Sequence, residues 1–144
     1  MPPNFARHGF GPWAVELPGV CPFIGFTGLT HVAYQAHFTP AVDIGWRLDP
    51  AYWGRGLATE AATLALQDGA RLDLQQIVAI TVPANLRSRA VMQRLGMRRA
   101  ASDDFDHPGV PDGHALKRLV LYRLRRSDWQ DHRATTAEAT RAGR

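Results

Sequence analysis

Two glycines flanking one arginine, in Trp53-Gly54-Arg55-Gly56-Leu57-Ala58, stand between a segment with strand periodicity and a segment with helix periodicity. This junction limits the fold more than any other part of the chain. Before it, Val42-Asp43-Ile44-Gly45-Trp46-Arg47-Leu48 alternates, with Ile44, Trp46 and Leu48 on one side of a strand and Asp43, Gly45 and Arg47 on the other. Asp49-Pro50 ends that strand. After the junction, residues 59–72 predict a helix, with Ala58, Ala61, Ala62, Ala65 and Gly69 recurring at helical spacing. A stripe of such small residues lets a helix lie close on a sheet. A helix N-terminus presents unpaired N–H groups and the positive end of its dipole. Glycine lets a ligand approach the backbone with no Cβ in the way. Together they make an anion site suited to a pyrophosphate, and Arg55 adds a formal charge. The pattern lacks the Lys-Ser/Thr of a P-loop and the third glycine of a dinucleotide fingerprint. Taken alone, the same pattern also serves as a plain structural turn.

The rest of the chain supplies a sheet and a second helix. Residues 1–12 are rich in Pro and Gly and carry no period. Trp13 to Glu16 and Phe23 to Leu29 read as strands, and the glycines of the second suggest a bulge or a close backbone approach. Residues 31–40 read as a polar connection. Residues 75–82 form a strand rich in β-branched residues, stopped by Pro83. Asn85 is placed to cap a helix over residues 86–95, with Val91 and Leu95 on its buried face and Gly96 as its C-terminal cap. Residues 97–101 read as a short strand and DDFDHPGVPDGH as a loop. Residues 116–124 read as the last strand, with Leu119, Leu121 and Tyr122 in the core. Residues 130–144 are Ala, Thr and Arg without a period and are expected to be a disordered tail. The expectation is one α/β domain over residues 1–129, built on a mixed, largely antiparallel sheet flanked by helices.

Charge and cysteine usage narrow the function classes. The net charge of +4 favours anionic ligands, nucleic acid or a phosphorylated cofactor. The basic C-terminal stretch is expected to be a solvated strand edge and a loose tail rather than a nucleic-acid patch. The single cysteine, Cys21, cannot form an internal disulfide, so a reducing compartment and a cytoplasmic location are expected. It receives no role. No apolar run is long enough to span a bilayer, and the N-terminus lacks the order of a signal peptide. No His, Cys or carboxylate set has metal-ligand spacing, so no metal is expected.

Four pieces in sequence order carry a family resemblance. VDIGWRL, YWGRGLATEA, IVAITVPANLRSRAVMQRLGM, and DFDHP with LVLYRL resemble the central strand, cofactor turn, Asn-x-x-Ser helix start and C-terminal end of the GNAT superfamily of N-acetyltransferases. The branch they resemble is that of ribosomal-protein N-terminal acetyltransferases (RimJ/RimL-type) and their relatives. Trp53 stands where many members have Gln or Arg, and is ordinary for this branch. Members usually carry a strand and two helices ahead of this stretch, which help to wall the acceptor site. Here that segment is absent or reduced to a few residues, which implies either an N-terminally shortened relative or a misplaced start of the chain.

The resemblance implies acetyl transfer from acetyl-CoA to an amine: a protein N-terminus or a small molecule. It places backbone groups of Trp46, Arg47 and Leu48 along the pantetheine arm, as an added strand would lie. It places Trp53, Gly54, Arg55, Gly56, Leu57, Ala58 and Thr59 at the pyrophosphate. Asn85 is either a pantetheine contact or a plain cap. Ser88 is either the general acid near the thioester sulfur or a first-turn helix residue. Asp43 is the candidate general base. Asp104, Asp106 and His107 form a second candidate group, with the histidine suited to neutral pH. His31 and His37 receive no role, and Glu60 favours the helix start through the dipole. Two alternatives stay open. One is a non-catalytic CoA-binding or interaction module, favoured by the missing leading segment. The other is a nucleic-acid-binding protein, which predicts strongly salt-dependent binding. A homodimer through the last strand is compatible with the pattern.

Overall fold

A computed structural model describes residues 12–17, 19–69, 72 and 74–128. The expected tail at 130–144 and the Pro/Gly-rich start at 1–11 lie outside the described residues. Strand β1 spans Pro12–Leu17, β2 Cys21–His31 and β3 Val42–Leu48. Helix α1 spans Leu57–Gly69, β4 Gln76–Thr81 and α2 Leu86–Arg94. Strands β5 (Arg98–Arg99), β6 (Phe105–Asp106) and β7 (Arg118–Arg125) complete the chain. The order across the seven-stranded sheet is β1-β2-β3-β4-β7-β5, with β6 also on β7. The β3–β4 pair is parallel and the others are antiparallel, so the sheet is mixed and largely antiparallel as expected.

Several element bounds differ from the sequence expectation. β2 is longer than residues 23–29, and His31, expected in the connection, belongs to it. Helix α1 begins two residues earlier than residue 59, because Gly56 already supplies the first carbonyl of the ladder, accepting from Glu60 N–H at 3.0 Å. The segment expected as one short strand at 97–101 is a two-residue strand followed by a 3-10 turn, Ala101–Asp103. The loop after it contains β6, which exists only because β7 offers it an edge. β7 carries β4 on one edge and the two-residue strands β5 and β6 on the other, so the last strand is interior to the sheet.

Alternation along the strands sorts the core into two layers. Both helices lie on one face. There Ala62, Ala65 and Leu66 of α1 and Val91, Met92 and Leu95 of α2 pack with Leu29, Val42, Ile44, Ile77, Ala79, Val120, Tyr122 and Leu124. The small residues of α1 set its close approach to β2 and β3, and Ala62 is fully buried. Truncating buried Leu66 to alanine would open a cavity and cost about 2–5 kcal/mol. Helix α2 ends in a Schellman motif: Gly96 has φ 86°, its N–H donates to Gln93 O, and Met97 N–H donates to Met92 O.

The opposite face is divided. Over β4 and β7, Val78, Leu119 and Leu121 are covered by Phe38, Phe105 and the connection through Val32, Tyr34 and Ala36. Asp103 fastens that cover: its carboxylate accepts from Arg123 Nε at 2.8 Å and lies 3.0 Å from His37 Nε2. Among the described residues the far face of β2 and β3 has no such cover, and Phe26 there is 48% exposed.

Candidate functional site

The parallel pair β3–β4 is joined at a single register position, Asp43 opposite Val78. Beyond it the two strands share no further rung. Each is followed by a helix on the same sheet face, α1 after β3 and α2 after β4. A gap at the carboxyl ends of parallel strands, flanked by helix N-termini, is where open α/β sheets bind ligands.

The gap's β3 side is set by the phase of the β2–β3 ladder. Asp49 N–H donates to Ile24 O at 2.8 Å. With Gly25 opposite Leu48 and Phe26 opposite Arg47, that bond makes Phe26/Arg47 a hydrogen-bonded pair and Thr27/Trp46 a non-hydrogen-bonded one. The backbone groups of Arg47 are therefore turned to β2. Those of Trp46 and Leu48 are turned to the gap. Gly25 reports the same geometry, since a Cβ there would lie 1.9 Å from Arg47 O. This is the close approach expected of the β2 glycines. Of the backbone groups expected along an added ligand strand, the structure brings Trp46 and Leu48 to the gap and not Arg47. The missing signal was register, which pairs residues distant in sequence.

The Leu48 carbonyl already has one donor, the Trp53 indole Nε1–H at 2.9 Å. The Asp49 carboxylate accepts from Ala51 N–H at 2.9 Å and holds the 3-10 turn Pro50–Tyr52 between strand and glycines. Gly54 and Gly56 have φ of 79° and 74°, a conformation that glycine adopts without strain. A Cβ at either would meet nothing within 4 Å, so the backbone there is open to approach. Among the described residues, the N–H groups of Gly54, Arg55, Gly56, Leu57, Ala58 and Thr59 donate to no protein acceptor. The Thr59 hydroxyl oxygen is buried and has no hydrogen-bond partner. Leaving such a group unsatisfied costs about 1–3 kcal/mol. An open run of N–H donors, the positive end of α1 and an orphaned hydroxyl fit a phosphorylated ligand. Arg55 lies over the Tyr52 ring at 5.7 Å.

Across the gap, Asn85 caps α2, its Oδ1 accepting from Ser88 N–H at 3.2 Å. Its cap role is therefore present, while its amide NH2 is not used in that bond. The Ser88 hydroxyl forms no hydrogen bond among the described residues, so it is not spent on capping. Arg87, which the sequence did not single out, lies 4.6 Å over the Trp53 ring. This contact joins the start of α2 to the turn after β3. Its position inside the Asn-x-x-Ser stretch was the available signal.

Asp43 lies on the face away from the helices. The Thr30 hydroxyl donates to its Oδ1 at 2.5 Å. Burial pushes the Asp43 carboxyl above its ordinary value of 3.8, against the lowering effect of the Thr30 bond. Tyr34 is pushed up to about 12 by burial and by the Asp43 charge, so its phenol stays protonated at neutral pH. Asp43 and Ser88 thus stand on opposite sides of the sheet with the gap between them. The second candidate group is engaged elsewhere. Arg99 holds Asp104 at 2.5 Å, Arg118 holds Asp106 at 3.4 Å, and His107 Nδ1 accepts from Gly109 N–H at 2.9 Å. A cavity of about 870 Å³, bordered by His31, Val42, Gln76 and Arg125, lies at the other ends of β3 and β4, away from the glycine turn. No cluster of three or more metal-ligating side chains occurs among the described residues, and none of their helices is long and apolar enough to cross a membrane.

Known proteins share both sequence and fold. The chain is 31% identical over 101 residues to "Uncharacterized N-acetyltransferase YnaD" of Bacillus subtilis, covering 69% of this chain and 58% of that protein. It is 28% identical over 130 residues to "FsC-acetyl coenzyme A-N(2)-transacetylase" of Aspergillus fumigatus, covering 84% of this chain and 52% of that one. It therefore spans little more than half the length of these curated relatives. The crystal structure of an acetyltransferase from Agrobacterium tumefaciens superposes with a TM-score of 0.63 at 28% identity, covering 85% of this chain and 65% of that one. The sequence model described as Acetyltransferase (GNAT) domain matches residues 3–98, which include the glycine turn, the gap and the Asn85 cap. The chain belongs to the GNAT family of acetyltransferases.

Proposed function

We propose that the chain binds acetyl-CoA in the gap between β3 and β4 and transfers its acetyl group to a primary amine. The observation that carries this is the run of unpaired N–H groups from Gly54 to Thr59, with the orphaned Thr59 hydroxyl among them. Acetyl-CoA supplies an activated acyl group as a thioester. The donors of the turn hold its pyrophosphate, and the gap-facing groups of Trp46 and Leu48 pair with its pantetheine arm. A gap-facing N–H of β3 is aimed where the carbonyl oxygen gains charge.

Asp43 takes the proton of the attacking amine, whose ordinary pKa is roughly 8 for an α-amino group. Its raised pKa makes it a stronger base than an exposed carboxylate. The new C–N bond forms as the C–S bond breaks, and Ser88, on the helix side, donates a hydrogen bond or a proton to the departing sulfur. The placement of Asp43 and Ser88 on opposite sides of the sheet supports this division of labour. Asn85 orients the start of α2 so that Ser88 faces its task.

The finer parts of this proposal rest on sequence. The Asn-x-x-Ser start and the LVLYRL strand support the ribosomal-protein acetyltransferase branch, and with it a protein α-amine or a small molecule as acceptor. The single cysteine supports a reducing, cytoplasmic setting. Residues 1–129 are taken as one catalytic domain. Calorimetry with acetyl-CoA, followed by a thiol-release assay over a panel of amines, tests the proposal. Micromolar binding with amine-dependent thiol release is the expected result. Binding without acetylation of any amine would leave a CoA-binding module, and no binding at all would remove the proposal.

A further inference from the structure

On the far face of the sheet, β2 and β3 present residues in facing pairs: Thr30 with Asp43, Gly28 with Gly45, and Phe26 with Arg47. Their neighbours Val42 and Ile44 are in the helix-side core, so alternation puts Asp43, Gly45 and Arg47 together on the far side. The middle pair is glycine on both strands. A Cβ at Gly45 would meet nothing within 4 Å. The result is a depression of about 170 Å³, bordered by Phe26, Thr30, Gly45 and Arg47.

The two ends of this depression differ in charge. At one end Thr30 lines the depression, and behind it the partly buried Asp43 carboxylate accepts from the Thr30 hydroxyl. At the other the Arg47 side chain is exposed and has no acidic partner among the described residues. Arg99, Arg118 and Arg123 each have one. Beside Arg47, Phe26 and Phe23 meet edge to face at 5.1 Å and are 48% and 50% exposed. Four residues along one strand separate the two charges, about 13 Å between Cα atoms at roughly 3.3 Å per residue.

We propose that this depression is the acceptor's bed, and that Asp43 and Arg47 select an amine that also carries a carboxylate, as a free amino acid with an apolar side chain does. The proposal rests on the acetyl-transfer function above and adds the substrate class. Asp43 receives the amine end, Arg47 pairs with the carboxylate, and the Phe23–Phe26 shelf takes the apolar body. The glycine floor leaves room for the molecule between them. An amine without the carboxylate leaves Arg47 unpaired, and an acid without the amine leaves Asp43 unpaired, so each end discriminates. Arg47 acts here through its side chain, since its backbone is committed to β2.

The test uses the full 144-residue chain with three probes of one shape: phenylalanine, phenethylamine and 3-phenylpropionate. Calorimetry with CoA comes first, then binding of each probe to the CoA-loaded chain, then thiol release with acetyl-CoA. The expected result is a preference for phenylalanine over phenethylamine of at least about tenfold in affinity and in kcat/KM, roughly 1.4 kcal/mol. Arg47→Gln should abolish that ratio and Arg47→Glu should reverse it. Equal use of phenylalanine and phenethylamine by the wild-type chain overturns the proposal. So does a ratio that survives Arg47→Gln, or a preference for a peptide with N-terminal phenylalanine over the free amino acid. The wild-type ratio decides even if Arg47→Glu fails to fold, and probe binding decides even if turnover is slow. Failure to bind CoA sinks the acetyl-transfer function and this proposal with it. CoA binding with no discrimination sinks only this proposal.

Discussion

The Trp53 indole N–H donates to the Leu48 carbonyl at 2.9 Å, tying the turn back onto the end of the strand it leaves. The same ring carries the Arg87 guanidinium at 4.6 Å, so it also ties that strand to α2. Trp53→Phe keeps an aromatic face for Arg87 and removes the donor. The expected loss of stability is about 1 kcal/mol, the net worth of one hydrogen bond, read from urea denaturation. Trp53→Ala also removes the ring and should cost more. A phenylalanine variant as stable as the wild type would show that the bond contributes nothing.

Thr59→Val should act in opposite directions on stability and on binding. Its buried hydroxyl has no partner in the protein, so the isosteric change should stabilise the ligand-free chain by up to about 1–3 kcal/mol. The same change should weaken acetyl-CoA binding, because a polar contact is lost. Thermal denaturation with and without acetyl-CoA reads both effects. A variant that loses stability in the absence of ligand contradicts the assignment.

Gly56→Val places a branched side chain at φ 74°. The left-handed conformation costs roughly 1–2 kcal/mol for an L-residue, and the side chain projects over the N–H donors of α1. Acetyl-CoA affinity should fall by more than the strain alone predicts. Calorimetry compared with the stability loss separates the two contributions.

Asp43→Asn should lower kcat by about 10²–10⁴ if the carboxylate is the general base, with little change in the affinity for acetyl-CoA. Linkage gives an independent check. The native pKa of Asp43 is raised above 3.8, so the native state binds its proton more tightly than the unfolded state. Its contribution to stability is fully present below 3.8 and is lost as pH rises through the raised value. The asparagine variant lacks that loss. It should gain stability relative to the wild type near neutral pH, and the gain should shrink toward pH 3. Denaturation midpoints measured across that range decide it.

The parts of the fold that depend on neighbours in sequence were legible there. The faces of β3, the glycine turn, the Asn85 cap and the Gly96 stop all follow from local periodicity and backbone preference. What was not legible depends on register. Thr30 and Asp43 meet because β2 pairs with β3 in one particular phase. That phase also turns the Arg47 backbone away from the gap. Strand β6 has two residues and is defined by the edge of β7, so no periodicity could reveal it, while β5 is a two-residue piece of the strand expected at 97–101. The Arg87–Trp53 contact and the Tyr34 neighbourhood of Asp43 likewise join segments that only the folded chain brings together.

The single rung between β3 and β4 has a consequence for the lifetime of the protein. With only Asp43 and Val78 in register, the sheet is close to two half-sheets sharing one seam, held otherwise by the helices packed across it. A ligand laid along that seam stitches the halves together, and a ligand at 100 times its Kd adds about 2.7 kcal/mol of stability. Opening along the seam exposes backbone to proteases. Acetyl-CoA, the ligand proposed for that seam, would therefore slow proteolysis of the chain.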